Sequence, residues 1–382
     1  MRDNQHHSST VITTEGTPMS PTSANPKALI AVGEGHVTEV ELIIRLRDHG
    51  IDAHAAFESS SPHLTKLRDA GVPTRTLDLK SNIDLPKAKL IRNWVIHERF
   101  DILHGLGNRQ VANFITASYG LKNKVIAYRG AVGHVSRWDP TCYLKWLNPR
   151  LDCLICVSNA VKADLASNGV PETKLVTIHK GHDISWYSGL DRHTARHEIN
   201  ELFAIPEDSI LVGMVANMRY IKGADMLIQA LHFLPDNVHA ILIGEVRDPN
   251  IEKLASNSNI ASRVHFTGYR SDAVHILAGL DINTAPSRRE GLPKSVIEGM
   301  AQGIPAVVTN AGGLPEIIDD GDNGFIVPID DLNAFSRHLA KLIADSELRD
   351  RMGQRAKEKM LRSFDIRKTV ESTAALYHQL LP

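Results

Sequence analysis

The chain has 382 residues, with 43 Lys plus Arg against 44 Asp plus Glu, 42% hydrophobic and 23% charged residues. Those proportions suit a globular protein of two or three domains with sizeable cores. Three cysteines (Cys142, Cys153 and Cys156) and no run of eighteen apolar residues exclude a disulfide-stapled miniprotein and a membrane channel, and the composition excludes a collagen or a wholly disordered chain.

The opening segment MRDNQHHSSTVITTEG lacks an apolar h-region, so no secretory signal is expected and the expected location is cytoplasmic. Residues 1–26, rich in Ser, Thr, His, Asn and Pro without a hydrophobic period, read as a disordered tail. From Lys27 onward, short apolar runs alternate with amphipathic stretches. ALIAVG (28–33), AHAAF (53–57), RTLDL (75–79), DILHG (101–105), KVIAY (124–128), DCLICVS (152–158) and LVTIH (175–179) read as strands. Between the first two, VTEVELIIRLRDHG puts Val40, Ile43, Ile44 and Leu46 on one helical face, with Gly50 closing the end. Residues 181–208 break the alternation and carry the connection between domains. It restarts with ILVGMVA (210–216), HAILIG (239–244), VHFTG (264–268), DINTA (281–285), PAVVT (305–309) and GFIVP (324–328). Charged amphipathic helical stretches follow at 331–362 and 365–381. Two successive β-α series imply an α/β fold of two Rossmann-like, doubly wound domains facing across a cleft. The expected division is 27–190, 191–362, and a last helix, 363–382, crossing back to the first domain.

Neutrality overall conceals a split. Residues 27–190 hold 21 bases and 16 acids, whereas 205–360 hold 16 and 21. A basic first half suggests an anionic partner such as a phosphorylated substrate or a membrane surface. Nucleic acid is not expected, because no basic run is interleaved with aromatics and no binding motif occurs. PKAKLIRNWVIHERF (86–100) has Leu90, Ile91, Trp94 and Val95 on one face beside Lys87, Lys89 and Arg92. Such a helix can pack its stripe on the sheet or rest on an anionic membrane; the first is the stronger reading.

In open α/β sheets ligands bind beyond the carboxyl ends of the strands. The loop after 281–285, PSRREGLPKSVIEGMAQGIPAVVT, carries Glu290 and Glu298 with Gly291, Leu292 and Pro293 between them. A helix beginning near Pro293 aims free amides of Leu292, Lys294 and Ser295 into the cleft, a setting for phosphate or sugar hydroxyls. A carboxylate accepting two hydroxyl hydrogens is a natural clamp for ribose or hexose. After strand 210–216, NMRYIKGADMLIQAL sets Arg219 and Lys222 around a turn that Gly223 allows; two cations there suit a diphosphate.

Pro286-Ser287-x-x-Glu290-Gly291-x-Pro293, with Glu298 and the following GIPAVVTNAGGLPEII, resembles the donor-binding signature of family 4 glycosyltransferases. The run around Lys222 is similar to the same family's diphosphate motif, and GYRSD (268–272) to its base-side loop. VSNAVKADL (157–165) resembles its first-domain linker segment, and HKGHDISWY (179–187) a variant of its Asn-Gly-Val-Asp turn. The likeness covers about residues 27–380. It implies a GT-B fold, a nucleotide-sugar donor at the second domain, a glycan or lipid-linked acceptor at the first, and transfer with retention. No metal and no cofactor beyond the donor are implied. By position, Glu298 would hold the donor ribose, and Arg219 and Lys222 the leaving diphosphate. Glu290, with the amides of Gly291, Leu292, Pro293 and Lys294, would hold the transferred sugar, and backbone around Tyr269 and Arg270 would meet the base. The expected setting is cell-envelope polysaccharide or lipopolysaccharide synthesis, with a peripheral place at the inner membrane face suggested by the basic first half.

Three positions depart from the family pattern. Its usual Arg after the strand falls at Asn217, with Arg219 two places on. Its first-loop glycine pair, which lets backbone approach the donor phosphates and makes Gly35 an expected donor-binding residue, becomes Gly35-His36. The His expected after 124–128 is Arg129, with His134 five residues later. Arg129, His36 and His134 are therefore read as sugar or acceptor contacts. Two alternatives stay open: a sugar-nucleotide isomerase or epimerase using an acid–base pair from His36, His104 and His134, and a non-catalytic nucleotide-binding subunit. Gly33-Glu34-Gly35 falls short of a dinucleotide fingerprint, and Cys153 and Cys156 read as core thiols.

Overall fold

The structure is a computed structural model that describes residues 25–256 and 259–381. The expected tail, 1–26, lies almost wholly outside these residues. The first sheet comprises β1 (Lys27–Ala31), β2 (Asp52–Phe57), β3 (Thr74–Thr76), β4 (Ile102–Gly105), β5 (Lys124–Arg129), β6 (Cys153–Cys156) and β7 (Leu175–Thr177). The second comprises β8 (Ile210–Val215), β9 (Val238–Ile243), β10 (Val264–Gly268), β11 (Ile282–Ala285), β12 (Ala306–Thr309) and β13 (Gly324–Val327). Every pairing within them is parallel, in the orders β3-β2-β1-β4-β5-β6-β7 and β10-β9-β8-β11-β12-β13. Parallel strands are buried on both faces, which is why their sequences run apolar rather than alternating.

The strand order reverses between β1 and β4 and again between β8 and β11. Loops leaving neighbouring strands at such a point diverge to opposite faces and open a crevice. The first domain carries helices α1 (Val37–Leu46), α2 (Leu64–Asp69), α3 (Leu85–Glu98), α4 (Asn108–Ser118) and α5 (Asn159–Ser167). The second domain carries α6 (Arg192–Phe203), α7 (Ala224–Ala230), α8 (Pro249–Ser256), α9 (Ala273–Ala278), α10 (Lys294–Ala301) and α11 (Leu314–Ile317). The expected helical stretch 331–362 is two helices, α12 (Leu332–Ala344) and α13 (Ser346–Ser363). Asp345 ends the first and caps the second by accepting from the Leu348 amide.

Helix α14 (Ile366–Leu380) leaves the second domain and lies on α1, where Ile366, Val370, Ala374 and Tyr377 share a core with β1 and β2. Tyr377 Oη and His104 Nδ1 form a buried hydrogen bond of 2.8 Å. In α3 the apolar stripe packs inward: Ala88, Ile91 and Val95 are buried and Trp94 lies under the Arg75 guanidinium. No helix among the described residues is long and apolar enough to cross a membrane.

Candidate active site

Between the two domains lies a cleft of about 660 Å³, lined by His36 from the first domain and otherwise by the loops after β8, β10 and β11 with the start of α10. The loop after β8 turns at Gly223, whose φ of 71° is left-handed, and a Cβ there would meet the Pro286 carbonyl oxygen at 1.9 Å. Only glycine serves, and the turn delivers Arg219 and Lys222 to the cleft. Lys222 Nζ donates to both carboxylate oxygens of Glu290, at 2.5 and 2.9 Å. Glu290 is nearly buried, so its charge is met by that single lysine. Arg219 lines the cleft without an ion pair among the described residues.

Helix α10 begins at Lys294, with Pro293 as its N-cap and no side chain capping its first amides. These amides and the positive helix end face the cleft, where Leu292, Pro293, Lys294 and Ser295 form one wall. Glu298 sits one turn on and is 9% exposed. Its carboxylate accepts no hydrogen bond among the described residues, and burial raises its pKa against the opposing pull of Lys294. A buried carboxylate opening only into a cleft is a ready acceptor for hydroxyl groups. Tyr269 also lines the cleft and is largely exposed, whereas the Arg270 guanidinium is held by Asp272 at 2.6 and 2.8 Å. Gly291 does not line the cleft: it lies behind Glu290, its missing Cβ pointing at the Gly130 carbonyl oxygen 2.1 Å away.

On the first-domain side, His36 caps α1 through Nδ1 and faces the cleft. Burial, followed by the charges of Lys294 and Lys180, pushes its imidazole down to about 4, so the ring is neutral at physiological pH. Gly35, at φ 82°, presses against the Phe57 ring, leaving no room for a side chain. Sequence reasoning missed the ion pair between Lys180 and Glu39 beside His36. Lys180 falls in HKGHD, where the only visible signal is a single lysine within the interdomain turn.

Two of the expected sugar or acceptor contacts are corrected. Arg129 does not line the cleft. Its guanidinium donates to the Ala131 and Gly133 carbonyls, at 3.0 and 2.5 Å, and lies over the Trp146 ring. It therefore braces the loop after β5 rather than presenting charge to a ligand. His134, at φ 62°, stands outside the cleft with Nε2 2.9 Å from Arg289 Nη2. His104 is buried against Tyr377. The three histidines of the isomerase alternative are thus not assembled, and only His36 reaches the cleft. Cys153 and Cys156 are buried, and burial pushes both thiols up to about 12, in keeping with core residues.

The two halves of the chain match two family models: Glycosyltransferase Family 4 over residues 36–186 and Glycosyl transferases group 1 over residues 195–359. The chain belongs to the family 4 glycosyltransferases. It is 30% identical over 246 residues to "Putative glycosyltransferase EpsD" of Bacillus subtilis, covering 61% of this chain and 62% of that one. It is 31% identical over 232 residues to "Lipopolysaccharide core biosynthesis glycosyltransferase LpsE" of Rhizobium meliloti, covering 60% and 64%. The matched stretch thus spans a little under two thirds of these relatives. Among solved structures, a glycosyltransferase from Rickettsia africae superposes with a TM-score of 0.80 at 20% identity, over 94% of this chain and 99% of that one. Anabaena HepE in complex with UDP gives 0.76 at 17%, over 93% and 100%. The fold of this family 4 member is accordingly GT-B.

Proposed function

We propose that this protein is a retaining glycosyltransferase that moves a hexose-type sugar from a nucleoside-diphosphate sugar to a glycan or lipid-linked acceptor in cell-envelope polysaccharide or lipopolysaccharide synthesis. One observation carries the reading: a single cleft gathers Arg219, the Lys222–Glu290 pair, the uncapped start of α10 and the unpartnered Glu298. These are a diphosphate site and two hydroxyl clamps, spaced along one wall. Relatives named for lipopolysaccharide core synthesis, LpsE and the mannosyltransferase LpcC of Rhizobium leguminosarum, support the setting.

In this reading Glu298 takes the ribose hydroxyls, Tyr269 and Arg270 lie beside the base, and Glu290 with the loop amides orients the sugar. As the anomeric C1–O bond to phosphate breaks, negative charge grows on the leaving diphosphate. Arg219, Lys222 and the α10 amides are already in place to meet it. The acceptor oxygen forms the new bond to C1, and its proton passes to the departing phosphate oxygen. The first-domain carboxylate beside His36, Glu39, is held in an ion pair by Lys180, which favours departure and attack on the same sugar face over a carboxylate nucleophile. Neither a metal nor a further cofactor enters these steps.

The acceptor side also carries a surface suited to an anionic membrane. Of the α3 stripe only Leu90 is exposed, and the surface is built from it with Leu85, Tyr119, Trp138 and Tyr143 among Lys89, Arg92, Arg137 and Lys145. Hydrogen bonds from Arg92 to the Tyr119 carbonyl, Tyr119 to Asn148, and Asn148 to the Tyr143 carbonyl join these segments into one face. Apolar side chains interleaved with cations favour a negatively charged lipid surface.

Calorimetric titration of the metal-free protein with UDP, GDP, ADP and CMP tests the transferase reading. Micromolar binding of one nucleoside diphosphate, followed by sugar transfer from the matching donor, supports it. Binding of none sinks it in favour of a chain that keeps the fold without the chemistry.

A further inference from the structure

We propose that Glu316 is an interdomain clasp, a carboxylate of the second domain that caps a helix of the first and so fixes the Glu290–Gly291 loop over the cleft. Helix α5 opens with Ser158 as its N-cap, whose hydroxyl serves only the Val161 amide. The amides of Asn159 and Ala160 remain, and helix starts need acceptors for such donors. They find them in the other domain. Glu316 Oε2 accepts from the Asn159 amide at 2.9 Å and from Asn159 Nδ2 at 3.1 Å, and Oε1 accepts from the Ala160 amide at 3.0 Å. His179 Nε2 adds a contact of 2.9 Å to Oε2.

The partners tie this carboxylate to both places where the chain crosses between domains. His179 stands at the first crossing, and its carbonyl accepts from the Thr369 hydroxyl of α14. Its ring tilts against Phe364, at the second crossing. The crossings themselves run side by side, with the His182 amide donating to the Phe364 carbonyl and the Ile366 amide to the His182 carbonyl. Glu316 therefore sits at the hinge.

From the hinge, the constraint reaches the cleft through backbone contacts that admit no side chain. Glu316 belongs to α11, and the loop just before it presses on the residues behind the sugar site. A Cβ on Gly312 would lie 1.8 Å from the Glu290 carbonyl oxygen, and one on Gly313 would lie 2.1 Å from that of Gly291 and 2.9 Å from Ser158 Cβ. Gly291 in turn meets the Gly130 backbone of the first domain. The loop bearing Glu290 is thus sandwiched between the first domain and the segment that Glu316 anchors. Glu316 touches no cleft position, so it acts as a positioning residue. That positioning role rests on the transferase reading above, whereas the clasp itself does not.

The test compares the full-length wild type with Glu316→Ala, Glu316→Gln and His179→Ala by small-angle X-ray scattering and by calorimetry with UDP, GDP and ADP. With the clasp lost, Glu316→Ala has a larger radius of gyration and a broader distance distribution. Nucleotide affinity, which depends on second-domain groups, stays within about twofold of wild type. Glu316→Gln, which keeps one carbonyl oxygen for the α5 amides, recovers part of the wild-type profile. Once the donor is known, Glu316→Ala turns over about tenfold more slowly at saturating donor. Unchanged scattering overturns the clasp. A fall in nucleotide affinity that parallels the change in scattering also overturns it, because Glu316 would then be folding its own domain. Glu316→Gln and His179→Ala carry the same test if Glu316→Ala does not fold. A wild type that binds no nucleoside diphosphate removes the positioning role, and the scattering comparison still decides the clasp.

Discussion

Lys222 Nζ bridges the two carboxylate oxygens of Glu290 at 2.5 and 2.9 Å, linking the loop after β8 to the loop after β11 across the switch point of the second sheet. The sequence reading gives these residues separate tasks, the lysine at a diphosphate and the glutamate at a sugar. In the proposed reaction their ion pair would bring both tasks to one point, where the anomeric C–O bond breaks.

Lys222→Ala removes a cation from that point and leaves a nearly buried carboxylate unpaired. Removing one preorganised electrostatic group of this kind costs about 10²–10³ in kcat. Steady-state kinetics should show that loss with nucleotide affinity reduced far less. The buried charge should also lower unfolding stability by about 1–3 kcal/mol in urea titrations. Glu290→Gln should relieve the stability loss of Lys222→Ala, since the double variant leaves no uncompensated charge. Wild-type turnover in Lys222→Ala would remove the lysine from the leaving-group site.

Transfer should proceed unchanged in EDTA. The proposed site meets leaving-group charge with Arg219, Lys222 and helix amides rather than with an ion. Assays with the purified protein, with and without chelator, read this directly. A loss of activity that Mg²⁺ or Mn²⁺ restores would show that these groups do not suffice.

Gly223→Ala and Gly321→Ala form a matched pair. Both positions are left-handed, at φ 71° and 80°, so each alanine carries the strain of that region. At Gly321 nothing lies within 4 Å of the added carbon, and the cost should stay near 1 kcal/mol. At Gly223 the carbon would fall 1.9 Å from the Pro286 carbonyl oxygen, forcing the loop after β8 to move. Thermal unfolding should show a clearly larger drop for Gly223→Ala, accompanied by weaker nucleotide binding. Equal drops would mean that the turn does not set the position of Lys222.

Much of this was legible before any coordinates. Most strands among the described residues announce themselves as apolar runs because parallel strands are buried on both faces. The edge strand β3 is instead Thr-Arg-Thr and half-buried, with the apolar Leu77 and Leu79 lying beyond it. The loop from Pro286 to Ser295 stands out as a candidate site because strand end, glycine and helix start are contiguous. What escaped depends on partners distant in the chain. Arg129 looks like a free cation after a strand, yet Trp146 and the carbonyls of its own loop occupy it. Nothing near Glu316 in sequence signals that α5, 157 residues earlier, lacks its own cap acceptors. Likewise the exposed face of α3 is not its apolar stripe, because the sheet claims Ile91 and Val95.

That exposed face yields its own expectation. Trp138 is 88% and Leu85 66% exposed. Co-sedimentation with vesicles containing anionic lipid should detect binding that falls as salt rises. Replacing both Trp138 and Leu85 by alanine should weaken it about a hundredfold or more, in line with losing two buried apolar side chains. Equal binding to neutral and anionic vesicles, or none to either, would argue against a membrane partner for this face.

Glu298 gives the last prediction a pH dependence. Burial raises its folded-state pKa above the usual carboxylate value. A raised carboxylate pKa costs nothing below the unfolded value, where both states are protonated. The cost grows as pH rises through the folded pKa and remains in full above it. Glu298→Gln removes the buried charge without changing shape, so it should unfold about 2–4 °C higher than wild type at pH 7. The gain should vanish below about pH 4, where the wild-type carboxyl is neutral in both states. The same substitution should weaken nucleoside diphosphate binding about ten- to hundredfold at pH 7, because a charged acceptor of ribose hydroxyls becomes a neutral one. Scanning calorimetry across pH and isothermal titration at pH 7 read the two effects separately. A variant that gains stability yet binds every nucleotide as wild type would leave Glu298 a buried charge without a ligand. One that loses stability at pH 7 would show that the carboxylate has a partner in the folded protein.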